Sequence, residues 1–220
     1  MAILEKLLRS KVFVITVIVL PGLWPLWPLL QQDPSASADP PKFLLHHLGF
    51  VACILLATVL TFTPLRVLFP GSKSVLALNR HRRLVGVSAF VYAVFHVTLH
   101  FIHEGGFGTF STDFKKPFIL SGLATFTILS LLALTSLNSA VRLLGGRRWK
   151  NLHRLAYVAA GLIAYHQAAA RKIFPVQVLW IFIPLALLEL FRLGRQFSKS
   201  PAPTRGPARS ETKGAVKTDI

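Results

Sequence analysis

The chain has 220 residues, of which 53% are hydrophobic and only 15% are charged, and its mean hydropathy is +0.56. Soluble domains carry about 25% charged residues, so this composition excludes a soluble globular protein, a disordered chain and a disulfide scaffold. The sequence has one cysteine, Cys53, within an apolar run. A single cysteine cannot form a disulfide or a cysteine-based zinc or iron–sulfur site within the chain, so we expect Cys53 to pack as a small hydrophobic residue.

Apolar stretches of about 20 residues, the length that crosses a bilayer core of about 30 Å, recur along the chain. They predict an all-α integral membrane protein with six transmembrane helices, near residues 12–30, 43–63, 84–103, 118–137, 152–170 and 174–193. The predicted domain organisation has three parts. Residues 1–11 are a cytoplasmic N-terminus and residues 12–195 are a six-helix transmembrane domain. Residues 196–220 are a basic cytoplasmic tail rich in Pro, Ser, Thr and Gly, which we expect to be disordered.

The first apolar stretch could instead belong to a signal peptide, because three basic residues precede it. No small-residue cleavage site directly follows its core, however, and this argues against a signal peptide. We therefore expect a transmembrane helix that is kinked or broken near Pro21, with Trp24 and Trp27 in the outer aromatic belt.

Positive charge is distributed unevenly between the predicted loops. If the six spans alternate in direction, 20 of the 25 Lys and Arg residues lie on one face of the membrane together with both termini. Because positive residues accumulate on the cytoplasmic side, this split predicts that both termini are cytoplasmic. The net charge of +17 is then a topology signal rather than a sign of nucleic-acid binding, and contact with anionic lipid headgroups is a natural secondary role.

Three of the eight histidines matter most: His96 lies in the third predicted span, and His153 and His166 lie near the two ends of the fifth. Imidazoles that face each other between membrane helices can ligate haem, bind a metal or relay protons. No Asp or Glu lies in the middle of a predicted span, which favours haem over a proton relay. The structural alternative is that each histidine is a hydrogen-bonded residue at a helix interface.

The fifth predicted span carries two of these histidines, His153 and His166. They are separated by about 20 Å along a helix, which would suit haems near opposite membrane faces, but on an ideal helix their side chains point some 140° apart. Either this helix departs from ideal geometry, for example near Gly161, or the two rings contact different neighbours. His46 could line an outer cofactor pocket, whereas His100 and His103 approach the external interface.

Arginines on the predicted cytoplasmic side could recognise an anion, because the guanidinium group binds phosphate and carboxylate in a bidentate way. Such sites would suit haem propionates or the phosphate of a flavin. The alternative is ordinary positive-inside charge. The candidate cofactor-binding arginines are Arg66, Arg82, Arg83 and Arg154.

An ordered set of motifs over about residues 10–195 resembles the MsrQ (YedZ) family, the haem-binding membrane subunits of bacterial periplasmic methionine sulfoxide reductases. The set comprises TPLR at 63–66, RRLVG at 82–86, His96, RWKNLHRLAY at 148–157 and His166. Its order, spacing and predicted topology agree together, so the likeness is specific.

The MsrQ family in turn resembles the ferric reductase and NADPH oxidase transmembrane domain, so the likeness implies a ferric reductase-like haem-binding bundle. That domain pairs histidines on its third and fifth spans. By this likeness His96 and His166 hold an outer haem b, and His153 serves an inner haem. The residue that would pair with His153 is Arg82, which cannot ligate iron as a cation. One haem b is the expectation, and a second haem would require His81 or another ligand.

The resemblance also implies a non-catalytic electron-transfer subunit in the bacterial inner membrane. It would take electrons from the quinone pool, with FMN as a further cofactor. It would pass them to MsrP, a periplasmic molybdenum-containing partner that reduces methionine sulfoxide in oxidised proteins. The sequence has no G-x-G-x-x-G motif, which disfavours direct oxidation of NAD(P)H.

Two other functions remain open from the residues alone. The protein could be a ferric or oxygen reductase that acts directly on a diffusible acceptor. It could also be a non-redox transporter or scaffold in which histidines join helices through hydrogen bonds.

Overall fold

A computed structural model describes residues 2–106, 114–171 and 173–198 of the chain. The secondary structure in this part is helical. The helices are α1 (Ala2–Arg9), α2 (Lys11–Leu23), α3 (Leu26–Leu30), α4 (Pro34–Ser37), α5 (Pro40–Leu68), α6 (Lys73–Arg80), α7 (Arg82–His103), α8 (Pro117–Leu134), α9 (Asn138–His153), α10 (Leu155–Ala169) and α11 (Val176–Phe197).

Four helices within the described residues, α5, α7, α8 and α11, are long and apolar enough to cross a membrane. The first and fifth predicted spans correspond to shorter helices, α2 with 13 residues and α10 with 15. At 1.5 Å per residue these extend about 20 and 22 Å, less than the bilayer core of about 30 Å. The all-helical fold class is confirmed, whereas helix length does not confirm the count of six.

The expected break in the first span lies beyond Pro21. Helix α2 continues through Pro21 to Leu23, and the chain turns at Trp24 and Pro25 before α3 begins. Pro21 lies within α2 although it cannot donate the usual backbone hydrogen bond. Trp24 is 63% exposed, as expected for a residue of an interfacial belt.

Polar residues fix where several helices begin. The Ser10 hydroxyl accepts a hydrogen bond from the backbone N–H of Phe13 at 3.3 Å. The Asp39 carboxylate accepts one from the N–H of Lys42 at 3.2 Å. These N-caps satisfy amide groups that have no partner within the helix, and the prolines that open α5 follow Asp39 where their missing N–H costs nothing.

Contacts between alternate starts and ends of helices α2, α5, α7, α8, α10 and α11 show that these helices run in alternating directions, so the bundle has two distinct ends. We call the end that carries His46, His103 and Gln167 the histidine end, and the opposite end, which carries Arg66 and Arg195, the arginine end. Helices α1, α6 and α9 lie at the arginine end. There His81 Nε2 donates a hydrogen bond to the carbonyl of Leu8 at 3.1 Å, which joins the α6–α7 turn to α1.

Helix α5 is the central element of the bundle and packs against α7, α10 and α11. Its contacts are formed by small or apolar residues, among them Cys53, Leu56, Ala89 and Ala159, which are at most 2% exposed. Small side chains let membrane helices approach closely. Cys53 is a buried core residue, as predicted.

Helix α11 extends to Phe197, two residues beyond the predicted end of the transmembrane domain. Residues 199–220, which form most of the predicted disordered tail, lie outside the described residues.

Candidate cofactor-binding site

His96 on α7 and His166 on α10 face each other in the half of the bundle nearer the histidine end. Their ring centres are 6.1 Å apart and their planes are nearly perpendicular, at 89°. Both residues are half-buried. The structure therefore brings together the two histidines predicted as an outer pair.

The His96 ring is held by α5. Its Nδ1 lies 2.8 Å from the backbone carbonyl of Leu45, and the ring covers Gly49, where an added Cβ would lie 2.5 Å from Nδ1. Real Cβ atoms do not approach a neighbour this closely. Gly49 therefore leaves the space that the His96 ring occupies.

The His166 ring is held by α8 in the same way. Its Nδ1 lies 2.7 Å from the carbonyl of Phe118, and an added Cβ at Gly122 would lie 2.7 Å from Nδ1. In both cases the accepting carbonyl belongs to the residue four positions before the glycine. We call each arrangement of carbonyl and glycine a glycine notch.

The physical reason for the notch is helix geometry. The carbonyl of residue i lies beside residue i+4, with which it shares a backbone hydrogen bond, and a side chain at i+4 normally shields it. Glycine at i+4 exposes that carbonyl to a second donor from a neighbouring helix. A third notch supports this interpretation: Tyr92 O–H donates to the carbonyl of Ile18 at 2.8 Å and its ring lies against Gly22.

The two notches also fix the tautomer of the paired histidines. A carbonyl oxygen only accepts hydrogen bonds, so Nδ1 carries the proton in His96 and in His166. Each Nε2 is then left with the lone pair that a metal requires. A backbone carbonyl on the second ring nitrogen is the usual support of a metal-bound histidine.

The geometry of the pair fits haem iron. Two imidazoles on opposite sides of one metal ion, with metal–nitrogen bonds of about 2 Å, have ring centres about 6 Å apart. The observed 6.1 Å matches this separation. No group of three or more His, Cys, Asp or Glu residues in the described part of the chain could hold a metal ion, so a cofactor that needs only two protein ligands suits the site.

A cavity of about 470 Å³ lies at the histidine end between α5, α10 and α11. His46, predicted to line an outer pocket, lies on its wall. The cavity is close to the histidine pair, since Gln167 follows His166 and also lines it.

His153 has a different environment at the arginine end. Its Nδ1 donates to the carbonyl of Trp149 at 3.1 Å, its Nε2 lies 3.3 Å from the hydroxyl oxygen of Ser136, and its ring stacks on Trp149 at 3.9 Å. Both ring nitrogens therefore have protein partners. His153 also lies at the end of α9, and the chain departs from helical hydrogen bonding at Arg154, not at Gly161 as considered from the sequence.

The four predicted anion-binding arginines are exposed at the arginine end. Arg66, Arg82 and Arg154 extend into solvent, and Arg83 donates a hydrogen bond to the side-chain carbonyl of Asn138 at 2.6 Å. Their part in binding a cofactor stays a prediction.

The sequence reasoning did not anticipate a polar cluster between α10 and α11. Tyr157 O–H donates to Glu189 at 3.2 Å, Arg192 donates to the Tyr157 oxygen at 3.0 Å, and Arg192 pairs with Glu189 at 2.9 Å. The side chains of Glu189 and Arg192 are 15% and 16% exposed. The spacing of Glu189 and Arg192 could have predicted their ion pair, because residues at positions i and i+3 are neighbours on a helix.

Comparison with known proteins agrees with this fold and site. The family described as "Ferric reductase like transmembrane component" matches residues 48–164, a range that includes His96 and ends two residues before His166. The chain is therefore a ferric reductase-like transmembrane protein. No solved structure matches it.

Curated relatives specify the family further. The chain is 35% identical over 203 residues to proteins from Brucella ovis, Brucella canis and Brucella suis, with 85% of this chain and 90% of each relative covered. Each is named "Protein-methionine-sulfoxide reductase heme-binding subunit MsrQ". The chain belongs to this MsrQ family, and the resemblance found in its motifs is confirmed.

Proposed function

We propose that this protein is a haem b electron-transfer subunit that passes electrons from the membrane quinone pool to a periplasmic molybdenum-containing methionine sulfoxide reductase, MsrP. In this function the chain does not act on the sulfoxide itself. It holds a redox cofactor within the bilayer while its partner performs the catalysis.

The observation that carries this proposal is the geometry of His96 and His166. Two imidazoles from different helices meet with both Nδ1 atoms anchored, and among the described residues neither Nε2 atom has a hydrogen-bond partner. A transporter or scaffold does not need two histidines buttressed in this way by glycine notches. The bound haem would supply a one-electron change between ferric and ferrous iron.

The residues around the pair would orient the ligands and exclude water. The carbonyls of Leu45 and Phe118 hold the two Nδ1 protons, which limits rotation of both rings and raises the basicity of each Nε2. Apolar residues of α5, α7 and α10 pack beside them. We propose one haem, held by this pair, because His153 has protein partners on both ring nitrogens.

The proposed topology has six crossings in the bacterial inner membrane with the arginine end in the cytoplasm. In this proposal α7 and α10 each contribute one haem ligand. We therefore count α10 as a membrane crossing, although it has only 15 residues. The excess of Lys and Arg at the arginine end supports this orientation. The histidine end, with the histidine pair nearby, then faces the periplasm and MsrP. FMN remains a prediction from the family resemblance.

The proposal can be tested with the purified protein in nanodiscs and purified MsrP. We expect about one haem per chain, from its bis-histidine optical spectrum. We also expect that ferrous haem is reoxidised under anaerobic conditions when MsrP and methionine sulfoxide are both added. Reoxidation by ferric chelates or oxygen at a rate that MsrP does not alter would favour a direct reductase. Protein that stays colourless after expression with sufficient haem would contradict the proposal.

A further inference from the structure

The cavity at the histidine end has a defined shape and chemistry that the histidine pair does not use. Its volume of about 470 Å³ falls within the range of small-molecule sites. Along α5 it extends from Lys42 to Cys53, a depth of about 16 Å. It is therefore a slot that runs from the end of the bundle into its apolar interior.

The mouth of the cavity is polar and rich in hydrogen-bond donors. Lys42, Gln167, Arg171 and Gln177 contribute ammonium, amide and guanidinium groups. The carboxylate of Asp39 also lines the mouth, but it already accepts hydrogen bonds from the backbone N–H of Lys42 and from His103 Nε2 at 3.0 Å. Desolvation acts to raise the pKa of Asp39, but these hydrogen bonds outweigh it and hold the pKa below its usual value, so the carboxyl group stays ionised.

The deeper walls of the cavity are apolar and partly aromatic. They include Phe50 and Cys53 of α5 and Ile181 of α11. A ligand that matches both zones has a flat ring with hydrogen-bonding oxygens and an apolar tail. An ion or a sugar would leave the apolar walls in contact with water.

The cavity adjoins the histidine pair through directly bonded residues. Gln167 on its wall is the neighbour of His166, and His46 on its wall is the neighbour of Leu45, whose carbonyl accepts the His96 proton. A redox-active ring in this cavity would therefore lie at the same level along the bundle as the ligands of the proposed haem.

We propose that this cavity is the site where a membrane quinol binds and is oxidised. This inference rests on the proposed function, in which the quinone pool supplies the electrons, and it adds where they enter. The donors at the mouth bind the two ring oxygens, His46 accepts a proton from a hydroxyl group, and the isoprenoid tail follows the apolar walls.

The reaction balances in electrons and protons. Two O–H bonds of the quinol break and two C=O bonds form, which releases two protons to water at the histidine end and two electrons, which a haem held by His96 and His166 would accept one at a time. The electrons end on methionine sulfoxide at the partner, where the S=O bond breaks and two protons are taken up to give the thioether and water. Electrons then enter and leave through the same half of the bundle, so no second haem at the arginine end is required.

Rapid mixing of the oxidised holoprotein with decylubiquinol tests this site. We expect Arg171→Gln and Gln177→Leu to slow haem reduction by about tenfold, as expected from the loss of a hydrogen bond to the bound ring. Gln31→Leu is a matched control, because Gln31 lies at the same end of the bundle but does not line the cavity. Dithionite must reduce the haem of every variant equally, which shows that the haem site is intact.

Photolabelling of the oxidised holoprotein with an azido-ubiquinone gives a second readout that does not depend on electron transfer. We expect label on the segments 39–53 and 167–181, and its loss when decylubiquinone is added. Label that only an anionic phospholipid displaces would show a lipid site and overturn the inference, as would cavity variants that react with decylubiquinol at the wild-type rate.

The outcomes separate this inference from the proposed function. If decylubiquinol reduces the wild type and all cavity variants equally, the quinol site lies elsewhere and the electron-transfer function stands. If decylubiquinol does not reduce the wild type although dithionite does, the quinol donor and this inference both fail, while electron transfer to MsrP is still measured independently.

Discussion

The two ends of the bundle place histidines in contrasting environments. In the half nearer the histidine end, His96 and His166 each use Nδ1 to contact a backbone carbonyl and leave Nε2 available. At the arginine end, both nitrogens of His153 have protein partners, and its ring stacks on Trp149. The comparison shows that the neighbouring helix, and not the histidine alone, determines whether an imidazole can serve as a ligand.

The feature that separates the two environments is the glycine notch. Gly49 and Gly122 expose a carbonyl that one ring nitrogen can reach from a neighbouring helix. His153 instead bonds to a carbonyl of its own helix, that of Trp149, and its second nitrogen meets a serine. Variants that fill the notches or alter the contacts of His153 can therefore break or sharpen the comparison.

The largest effect is expected from filling a notch. Gly122→Ala and Gly49→Ala place a methyl group within about 3 Å of the histidine ring and its anchored nitrogen, so the ring must move away from its carbonyl. We expect the haem content of purified protein to fall by about tenfold or more, in line with the loss of ligand support. Haem content is measured by the pyridine haemochrome assay.

Matched controls come from the helices that carry the ligands. An added Cβ at Gly86 on α7 or Gly161 on α10 meets no described atom within 4 Å. Gly86→Ala and Gly161→Ala should keep full haem content, because alanine in a helix is favoured over glycine by up to about 1 kcal/mol. Equal haem loss in notch and control variants would refute the role of the notches.

A smaller effect is expected from the aromatic partner of His153. Trp149→Leu removes the stacked ring and the hydrogen bond from the indole N–H to the carbonyl of Thr135, which is 3.0 Å long. We expect the protein to lose about 1–3 kcal/mol of stability, seen as a lower midpoint of thermal unfolding in detergent. The haem spectrum should be unchanged, and a shifted Soret band would show that His153 contacts the haem after all.

The smallest effect is expected at the cluster of Tyr157, Glu189 and Arg192. Glu189→Gln keeps the shape of the side chain but removes its charge, so Arg192 loses its ionic partner. Polar contacts between membrane helices contribute about 0.6–2 kcal/mol, and we expect a loss of stability in that range with normal haem content. A loss of haem in Glu189→Gln would assign this cluster to the cofactor site.

Hydropathy was sufficient to predict most of the fold. The long helices lie where the apolar runs predicted them. The prediction succeeds because each of these runs is by itself long enough and apolar enough to cross the bilayer. The break expected near Pro21 in the first predicted span lies three residues further on, because Pro21 is accommodated within α2 and the chain turns at Trp24 and Pro25.

The pairing of His96 with His166 was predictable from the family resemblance, but its support was not. Gly49 and Gly122 stand in apolar runs, where glycine is costly in a helix and can mark close approach of a neighbour. Which side chain approaches is set by how the helices pack. The cavity could not be predicted from the sequence either, because residues of three different helices form it. Of its lining residues, only His46 was predicted to line a pocket.

The most direct test of the account is the haem content and optical spectrum of purified His96→Ala, His166→Ala and His153→Ala variants. We predict that His96→Ala and His166→Ala each lose the low-spin bis-histidine spectrum and most of the haem, while His153→Ala retains both at the wild-type ratio of haem to protein. Retention of the wild-type spectrum in His96→Ala or His166→Ala, or its loss in His153→Ala, would contradict the central claim that one pair of notched histidines holds the cofactor.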